Sequence, residues 1–311
     1  MNILVTGANG FLGRALCDYI SRQGLNAYGL LRAPEEGLNV KKQFIVKNFL
    51  SYSDWGSILK GMDVVIHTAG LAHVKNRPPK DYYEINTEVT KELALECTKA
   101  DVKRFVYISS IAVYGVSSSR EIINLSTPLN PSTPYAHSKL LAELFLQKLH
   151  QGRKLDVVII RPPLIYGPNA PGNIEFLLKF IKRNFPLPFY GVKNLRSMIY
   201  IKNICDFLLN CTINQKSMGH VFLVSDFMDI STPTIIKFLA KGLNKHPKLF
   251  PFPLTILHLF LSLFKKEEIL EKITGSLRLD VSHIHKTLGW EPPFSAIEGL
   301  EKTAQCLNTH H

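Results

Sequence analysis

The sequence predicts an α/β protein with a doubly wound parallel sheet and a smaller C-terminal domain. The first half alternates short apolar runs with amphipathic stretches of helical spacing. The apolar runs do not alternate with polar residues, which is typical of parallel strands covered on both faces. A glycine-rich turn directly follows the first run. At 311 residues and 46% hydrophobic content, the chain has enough apolar surface for a full core.

The elements of the first half follow one another in a regular order. Six strands are predicted, at 2–6, 27–31, 44–46, 63–68, 104–109 and 155–161. Helices are predicted at 11–23, 86–100 and 134–152. After Arg161 four prolines fall close together, so we expect a loop to leave the first domain there. This pattern predicts a nucleotide-binding domain at 1–165 and a mainly substrate-binding domain at 166–311, with segments near 197–205 and 220–225 returning to the first domain.

Composition and charge exclude several classes of protein. The five cysteines form no CxxC pair, so a disulfide framework or a zinc ribbon is not expected, and no histidine pair has metal-site spacing. The formal charge is +12, but lysines and arginines are dispersed and no nucleic-acid-binding motif is present. We therefore expect no metal and no nucleic acid. The first residues show no signal-peptide pattern, which predicts a cytoplasmic protein.

The most apolar segment is 249–264, which is too short to cross a bilayer. We interpret it as a buried or interface helix. The alternative is an interfacial helix, ending at Lys265-Lys266, that makes peripheral membrane contact.

The turn after the first strand carries three glycines at GxxGxxG spacing and opens the first helix. Glycines in this strand–turn–helix context bind the pyrophosphate of a dinucleotide, because they permit a tight turn and close approach to the helix N-terminus. The sequence therefore predicts a Rossmann-type domain. The expected cofactor contacts in the turn are Gly7, Asn9, Gly10, Phe11, Leu12 and Gly13.

Two further motifs complete a resemblance to a known family. Ser110 begins the run SIAVYG, and Tyr135 precedes Lys139 by one helical turn. With the glycine loop, these motifs resemble the extended short-chain dehydrogenase/reductase enzymes, also called the NAD-dependent epimerase/dehydratase family. Ser110, Tyr135 and Lys139 match the catalytic residues of that family. A nearby ammonium lowers the pKa of a phenol, and a serine hydroxyl polarises a substrate oxygen, so these residue types suit proton transfer during hydride exchange.

The resemblance also implies positions for the cofactor. Ala69 and Gly70 follow the fourth strand beside it, Pro162 contacts the nicotinamide, and Tyr135 and Lys139 reach the nicotinamide ribose. The family often has an acid near the adenine, where this chain has Asn48-Phe49. At the end of the second strand stands Arg32 instead of the carboxylate that binds an adenosine 2′-hydroxyl. Arg32 favours NADP(H), with NAD(H) as the alternative.

On the substrate side the resemblance implies a UDP-sugar. Arg196 in the RSMIY run matches an arginine that binds the sugar-nucleotide pyrophosphate, Asn173 and Arg278 match further contacts, and Ser110 contacts the sugar. We expect a UDP-2-acetamido-2,6-dideoxy-4-hexulose-type 4-ketoreductase of surface polysaccharide synthesis, because Arg32 favours NADPH.

The sequence leaves two other functions open and disfavours a third. The first alternative is a UDP-glucose or UDP-N-acetylhexosamine 4-epimerase. A non-catalytic NADP-binding regulator is a remote one. A 4,6-dehydratase is disfavoured, since Ile111-Ala112 stand where that subgroup carries Asp-Glu. The resemblance also allows a homodimer formed through the helix of Tyr135 and its neighbour.

Overall fold

The computed structural model describes residues 1–72, 77–253, 255–257 and 267–307. Strands are β1 (Asn2–Thr6), β2 (Asn26–Leu31), β3 (Lys42–Ile45), β4 (Val64–His67), β5 (Arg104–Ile108), β6 (Ile122–Ile123), β7 (Asp156–Arg161), β8 (Leu164–Tyr166), β9 (Met198–Tyr200), β10 (Val221–Leu223) and β11 (Arg278–Leu279). Seven of them form one parallel sheet in the order β10-β7-β5-β4-β1-β2-β3. This doubly wound sheet confirms the predicted Rossmann-type α/β fold.

The helices lie on both faces of the sheet and in the C-terminal part. They are α1 (Phe11–Arg22), α2 (Trp55–Leu59), α3 (Pro79–Tyr82), α4 (Val89–Lys99), α5 (Pro134–Gln151), α6 (Asn173–Lys182), α7 (Ile201–Ile213), α8 (Thr232–Gly242), α9 (Glu267–Thr274), α10 (Ser282–Leu288) and α11 (Ala296–Gln305). A π-helical segment, 83–88, joins α3 to α4.

The inner strands β1, β4, β5 and β7 are buried on both faces, which explains their largely apolar sequences. In β1, Ile3 and Val5 pack into the core cluster that includes α1 and α7, whereas Leu4 packs into the cluster on the opposite face with Trp55 and Leu93. Because successive strand side chains point to opposite faces, a strand enclosed on both sides needs apolar residues at every position.

The chain after β7 differs from the sequence prediction in one respect. Leu164–Tyr166, which the proline pattern assigned to a loop, forms β8 and pairs in parallel with β9. That partner lies more than thirty residues downstream, so local sequence does not signal the pairing. β10 joins the main sheet beside β7, and β6 pairs with β11. The division of the chain at residue 165 stays a prediction.

Of the apolar segment 249–264, residues 254 and 258–264 lie outside the described residues. In the described part, Phe250, Phe252 and Ile256 are exposed. Within the described residues, no helix has the length and hydropathy needed to cross a bilayer.

Candidate active site

The glycine loop joins the carboxyl end of β1 to α1 in a tight turn. Gly7 has φ +65°, and a Cβ there would lie 2.9 Å from the Ala69 Cα. A Cβ on Gly13 would lie 2.2 Å from the Gly7 carbonyl oxygen, so only glycine lets the first turn of α1 pack on the loop. Among the described residues, the one heavy atom that a Cβ on Gly10 would meet within 4 Å is the Gly7 carbonyl oxygen. The outer side of the loop is therefore open for a ligand.

The first turn of α1 offers its backbone N–H groups to this opening. Gly10 is the N-cap and has no side chain to cap the helix, so the first amides of α1 suit an anion. Asn9 is exposed and Phe11 is half-buried beside the opening. Leu12 is different, because its side chain is buried in the core. Leu12 can reach a dinucleotide only through its backbone.

The carboxyl ends of the neighbouring strands line the same crevice. Arg32 is exposed directly after β2, and Ala69 and Gly70 follow β4. The Ala69 N–H donates to Thr6 Oγ1 at 3.1 Å, which fixes the chain beside the glycine loop. Ligands of doubly wound sheets bind at this edge.

Asn48 and Phe49 lie after β3 at the same edge of the sheet. Asn48 is exposed and accepts the Leu50 N–H at 3.1 Å, and Phe49 stacks on Trp55 with ring centroids 6.2 Å apart. Neither side chain is a carboxylate, so neither supplies the acid that the family often has near the adenine.

Ser110 and Tyr135 meet at the carboxyl end of β5. Tyr135 stands in the first turn of α5, whose N-cap Thr133 accepts the Ala136 N–H. Ser110 hydrogen-bonds Tyr135, and its Oγ also accepts the Ala112 N–H at 3.1 Å. Burial raises the pKa of Tyr135, and the Ser110 hydrogen bond opposes this shift. Tyr82 packs edge-on against Tyr135, with ring centroids 6.4 Å apart.

Lys139 lies one turn further along α5 and is 5% exposed. Its Nζ donates to the Ile108 carbonyl at 2.8 Å and lies 4.8 Å from the Tyr107 ring centroid. Burial lowers the pKa of Lys139 to about 8, and the Glu143 carboxylate opposes that shift. Burial is the largest influence on the pKa of Tyr135 in this structure. The role of Lys139 in lowering the pKa of that phenol stays a prediction.

Glu143 belongs to a buried polar cluster beneath the site. Its carboxylate accepts from Arg161 Nη2 at 2.6 Å and from Arg161 Nε at 3.1 Å. Arg161 Nη1 donates to the Tyr114 hydroxyl oxygen at 2.7 Å. The pair joins α5 to the end of β7, and both side chains are at most 5% exposed.

Asn86 connects the loop after β4 to α5. Its Oδ1 accepts the Leu71 N–H at 2.8 Å, and its Nδ2 donates to the Leu71 carbonyl at 3.1 Å and to Ser138 Oγ at 3.0 Å. A Cβ on Gly70 would lie 3.0 Å from Asn86 Oδ1 and 3.2 Å from Lys139 Nζ. The absence of a side chain at position 70 thus leaves room for the Asn86 amide and the Lys139 ammonium.

A cleft of about 550 Å³ opens over Ser110 and Tyr135. Among the residues that line it are Pro162, Asn173 and Arg196, so the structure brings these predicted residues together. Arg196 is 9% exposed and donates to the Gly275 carbonyl at 2.8 Å. Burial lowers the pKa of Arg196, and Glu271 opposes the shift. A buried guanidinium bonded to neutral carbonyls can bind a phosphate group.

Arg278 does not line this cleft. Its Nε donates to Asp229 Oδ2 at 2.9 Å, and it borders a separate depression with Asp280. Leu277 faces the catalytic cleft, and successive residues of extended chain point to opposite sides. The cation that does line the cleft beside Arg196 is Lys272, on α9.

Lys272 and Tyr82 are among the residues of the cleft that sequence reasoning missed. Neither stands in a recognisable motif, so only the folded chain identifies them. Among the described residues, no group of three or more His, Cys, Asp or Glu side chains is placed to hold a metal ion.

Comparison with known proteins agrees with this geometry. Residues 3–224 match the profile of the NAD dependent epimerase/dehydratase family. A UDP-glucose 4-epimerase of Vibrio cholerae is 36% identical, over 98% of this chain and 95% of that protein. An Escherichia coli O157:H7 protein, named as an N-acetyl-α-D-glucosaminyl-diphospho-ditrans,octacis-undecaprenol 4-epimerase, is 25% identical over 99% of this chain and 96% of its own length.

Solved structures share the fold. A UDP-glucuronic acid 4-epimerase from Bacillus cereus in complex with NAD superposes with a TM-score of 0.79 over the whole of both chains, at 22% identity. The family match spans well over half of the chain, and the Vibrio cholerae relative spans nearly all of it. The protein is therefore an enzyme of the NAD dependent epimerase/dehydratase family, in the extended short-chain dehydrogenase/reductase form predicted from its motifs.

Proposed function

We propose that the protein is a nucleotide-sugar 4-epimerase that uses a tightly held nicotinamide dinucleotide. The observation that carries the proposal is the single cleft shared by Ser110, Tyr135, Asn173 and Arg196. It combines a site for proton transfer with a cation suited to a diphosphate. Full-length similarity to two proteins named as 4-epimerases supports the choice of reaction.

The glycine loop and the ends of β1, β2 and β4 fit the dinucleotide. Gly10 leaves room for a pyrophosphate, and the first amides of α1 and the positive end of its dipole attract it. Ala69, Gly70 and Pro162 border the path toward Tyr135. A nicotinamide dinucleotide held there would supply reversible hydride transfer at the sugar C4.

Side chains of this protein accept and return the proton of the sugar O4. The Tyr135 phenolate accepts the proton when the C4 hydroxyl becomes a carbonyl, and the phenol returns it afterwards. The Ser110 hydroxyl holds the same oxygen and stabilises the charge that develops on it. Lys139, protonated, stabilises the phenolate and holds the nicotinamide ribose. Its buried position makes this ammonium sensitive to neighbouring charge.

Arg196 and Lys272 suit the diphosphate of the substrate. Both are cations that line the cleft, and a guanidinium forms paired hydrogen bonds with phosphate oxygens. Asn173, the first residue of α6, adds a polar side chain beside them. With the diphosphate there, the attached sugar reaches toward Ser110 and Tyr135.

The lining of the cleft argues against 4,6-dehydration. Ile111 and Ala112 stand next to Ser110, where elimination across C5–C6 would need an acid and a base. The carboxylate among the described lining residues is Glu271, which accepts from Ser118 Oγ at 2.7 Å. The cleft therefore suits oxidation and reduction at C4 better than elimination.

A second candidate function, a UDP-sugar 4-ketoreductase, is favoured by Arg32. An exposed arginine at the end of β2 suits the 2′-phosphate of NADPH, and a reductase would release the oxidised cofactor after each turnover. The two candidates differ in cofactor stoichiometry rather than in catalytic residues.

Cofactor stoichiometry therefore distinguishes them. The purified chain is incubated with UDP-glucose or UDP-N-acetylglucosamine labelled with deuterium at C4, without added cofactor. Epimerisation predicts inversion at C4 with the label retained and no net change in nicotinamide absorbance. Stoichiometric consumption of NADPH with a 4-keto sugar, and no inversion without it, would instead establish the reductase. A product lacking O6 would contradict both and indicate dehydration.

We also propose a homodimer formed through α4 and α5. Leu95 on α4 and Leu141 and Leu144 on α5 are 42–45% exposed. Exposed leucines on adjacent helices suit a helix-to-helix interface between two copies. Replacing Leu141 and Leu144 with lysine should yield a monomer in analytical ultracentrifugation.

A further inference from the structure

The C-terminal half carries an exposed surface that combines aromatic and basic side chains. Its exposed aromatic members are Phe176, Phe185, Tyr190, Phe250 and Phe252, and the partly buried Phe180 packs between Phe176 and Phe185. Tyr190 is 66% exposed and Phe185 is 50% exposed. Large aromatic side chains so exposed are unusual unless another body covers them. We call this the aromatic–basic surface.

Hydrogen bonds join its two chain segments into one face. The Leu187 N–H donates to the Lys248 carbonyl at 2.8 Å, and the Phe250 N–H donates to the Leu187 carbonyl at 3.1 Å. Within the first segment, Phe180 packs against Phe185 with ring centroids 5.6 Å apart. The aromatic side chains therefore occupy a fixed surface on folded backbone.

Positive charge is concentrated around the same side chains. Residues 173–193 and 244–253 contain six lysines and arginines and one acid, Glu175, which gives a formal charge of +5. The whole chain has a charge of +12, so these 31 residues carry a large share of it. The cations are Lys179, Lys182, Arg183, Lys193, Lys245 and Lys248.

This charge decides which partner fits the surface. A second copy docking by the same face would bring two surfaces of +5 together, which is unfavourable. A bilayer containing anionic lipids offers negative headgroups for the cations and an interfacial zone for the aromatic side chains. We propose that the protein binds peripherally to anionic membranes through the aromatic–basic surface.

The surface also lies close to the mouth of the catalytic cleft. Asn173, the first residue of α6, lines the cleft, and Phe176 is three residues further along the same helix. Residues three apart lie on the same side of a helix. Membrane binding would therefore hold the substrate-binding wall of the cleft next to the headgroups.

Vesicle sedimentation with the full chain tests the proposal. Vesicles of phosphatidylcholine alone are compared with vesicles that contain about one third phosphatidylglycerol. We expect the bound fraction to be at least about fivefold higher on the anionic vesicles, and to fall when salt rises from about 0.1 M to about 0.5 M. Equal sedimentation with both vesicles, or none, would overturn the proposal.

Two variants separate the contributions of the surface. The double variant Phe185→Ser and Phe250→Ser removes exposed aromatic rings, and we expect about a fivefold loss of binding. The triple variant Lys182→Gln, Arg183→Gln and Lys248→Gln should lose the preference for anionic vesicles. If either variant binds like the unmodified chain, the surface is not the membrane contact.

A matched control uses Ile213→Ser with Lys216→Gln. Ile213 is 61% exposed and borders a depression at the amino ends of the strands, with Met1 and Lys103. This control should bind vesicles as the unmodified chain does, and loss of its binding would contradict the assignment. All variants should keep their turnover of a water-soluble UDP-sugar within about twofold, since none of these residues lines the cleft.

Sedimentation equilibrium without vesicles tests a second copy as the occupant. We expect the aromatic variant and the unmodified chain to have the same mass. A dimer that is lost only in the aromatic variant would assign the surface to self-association and overturn the membrane proposal.

Discussion

Replacement of Glu143 by glutamine should weaken both the fold and the catalytic lysine. The Glu143 carboxylate binds Arg161 through contacts of 2.6 and 3.1 Å, and their side chains are 1% and 5% exposed. A glutamine keeps the shape of the side chain but leaves the guanidinium buried without its counter-charge. Removing one member of a buried ion pair costs about 3–5 kcal/mol of stability. Because the glutamine amide oxygen can still accept a hydrogen bond from Arg161, we expect a loss near the lower value, about 3 kcal/mol.

The matched control is Glu175→Gln on α6. Glu175 also pairs with a cation, Lys179, at 2.5 Å, but the two side chains are 51% and 66% exposed. Because solvent screens this pair, its loss should cost no more than about 0.5 kcal/mol. Urea unfolding of both variants measures the difference. If Glu143→Gln lowers the free energy of unfolding no more than Glu175→Gln does, the buried pair does not stabilise the junction of α5 and β7.

The same variant should change the pH dependence of turnover. Burial lowers the pKa of Lys139 to about 8, and Glu143 opposes that shift. Loss of the carboxylate therefore lowers the pKa of Lys139 further, and the ammonium is lost at a lower pH. We expect the alkaline limb of the kcat profile to move to lower pH in Glu143→Gln and to stay in place in Glu175→Gln. An unmoved limb in both variants would refute the coupling of Glu143 to Lys139.

Three further predictions concern other parts of the molecule. Tyr135→Phe should abolish turnover and leave cofactor affinity, measured by fluorescence titration, nearly unchanged; surviving turnover would remove Tyr135 from the proton-transfer role. Arg196→Gln should raise KM for the UDP-sugar about tenfold with a smaller change in kcat, because a phosphate contact is lost in ground and transition states alike; an unchanged KM would exclude the diphosphate contact. Burial lowers the pKa of His67 to about 3, so between pH 3 and about 6.5 the unfolded chain binds the proton and the folded chain does not. The free energy of unfolding should therefore fall on acidification through this range, by at most about 5 kcal/mol, and the slope against pH should be flatter in His67→Gln; equal slopes would show that another group causes the acid sensitivity.

The parts that local sequence could predict are those whose geometry is set within one turn or one strand. Gly7 and Gly13 lie in a single strand–turn–helix unit, and Tyr135 and Lys139 lie one helical turn apart, so spacing alone indicates which side they share. The buried strands were predictable because an apolar run without polar alternation indicates that a strand is covered on both faces.

The substrate side depends on contacts between distant segments. Leu277 bridges to Arg196, and this pairing decides that Leu277 faces the cleft while Arg278 turns toward Asp229. Lys272, on α9, also lines the cleft because of packing between distant segments and not because of a local motif. A motif match could identify Arg196 but not which neighbouring cation accompanies it.

The contacts around Gly70 have a consequence for how this site can change over generations. A methyl group at position 70 would lie 3.0 Å from Asn86 Oδ1 and 3.2 Å from Lys139 Nζ, so it would disturb both at once. A side chain there is accommodated only when the amide and the ammonium each shift by a few tenths of an ångström. Variation at position 70 therefore changes the placement of Lys139 and of the Asn86 link together.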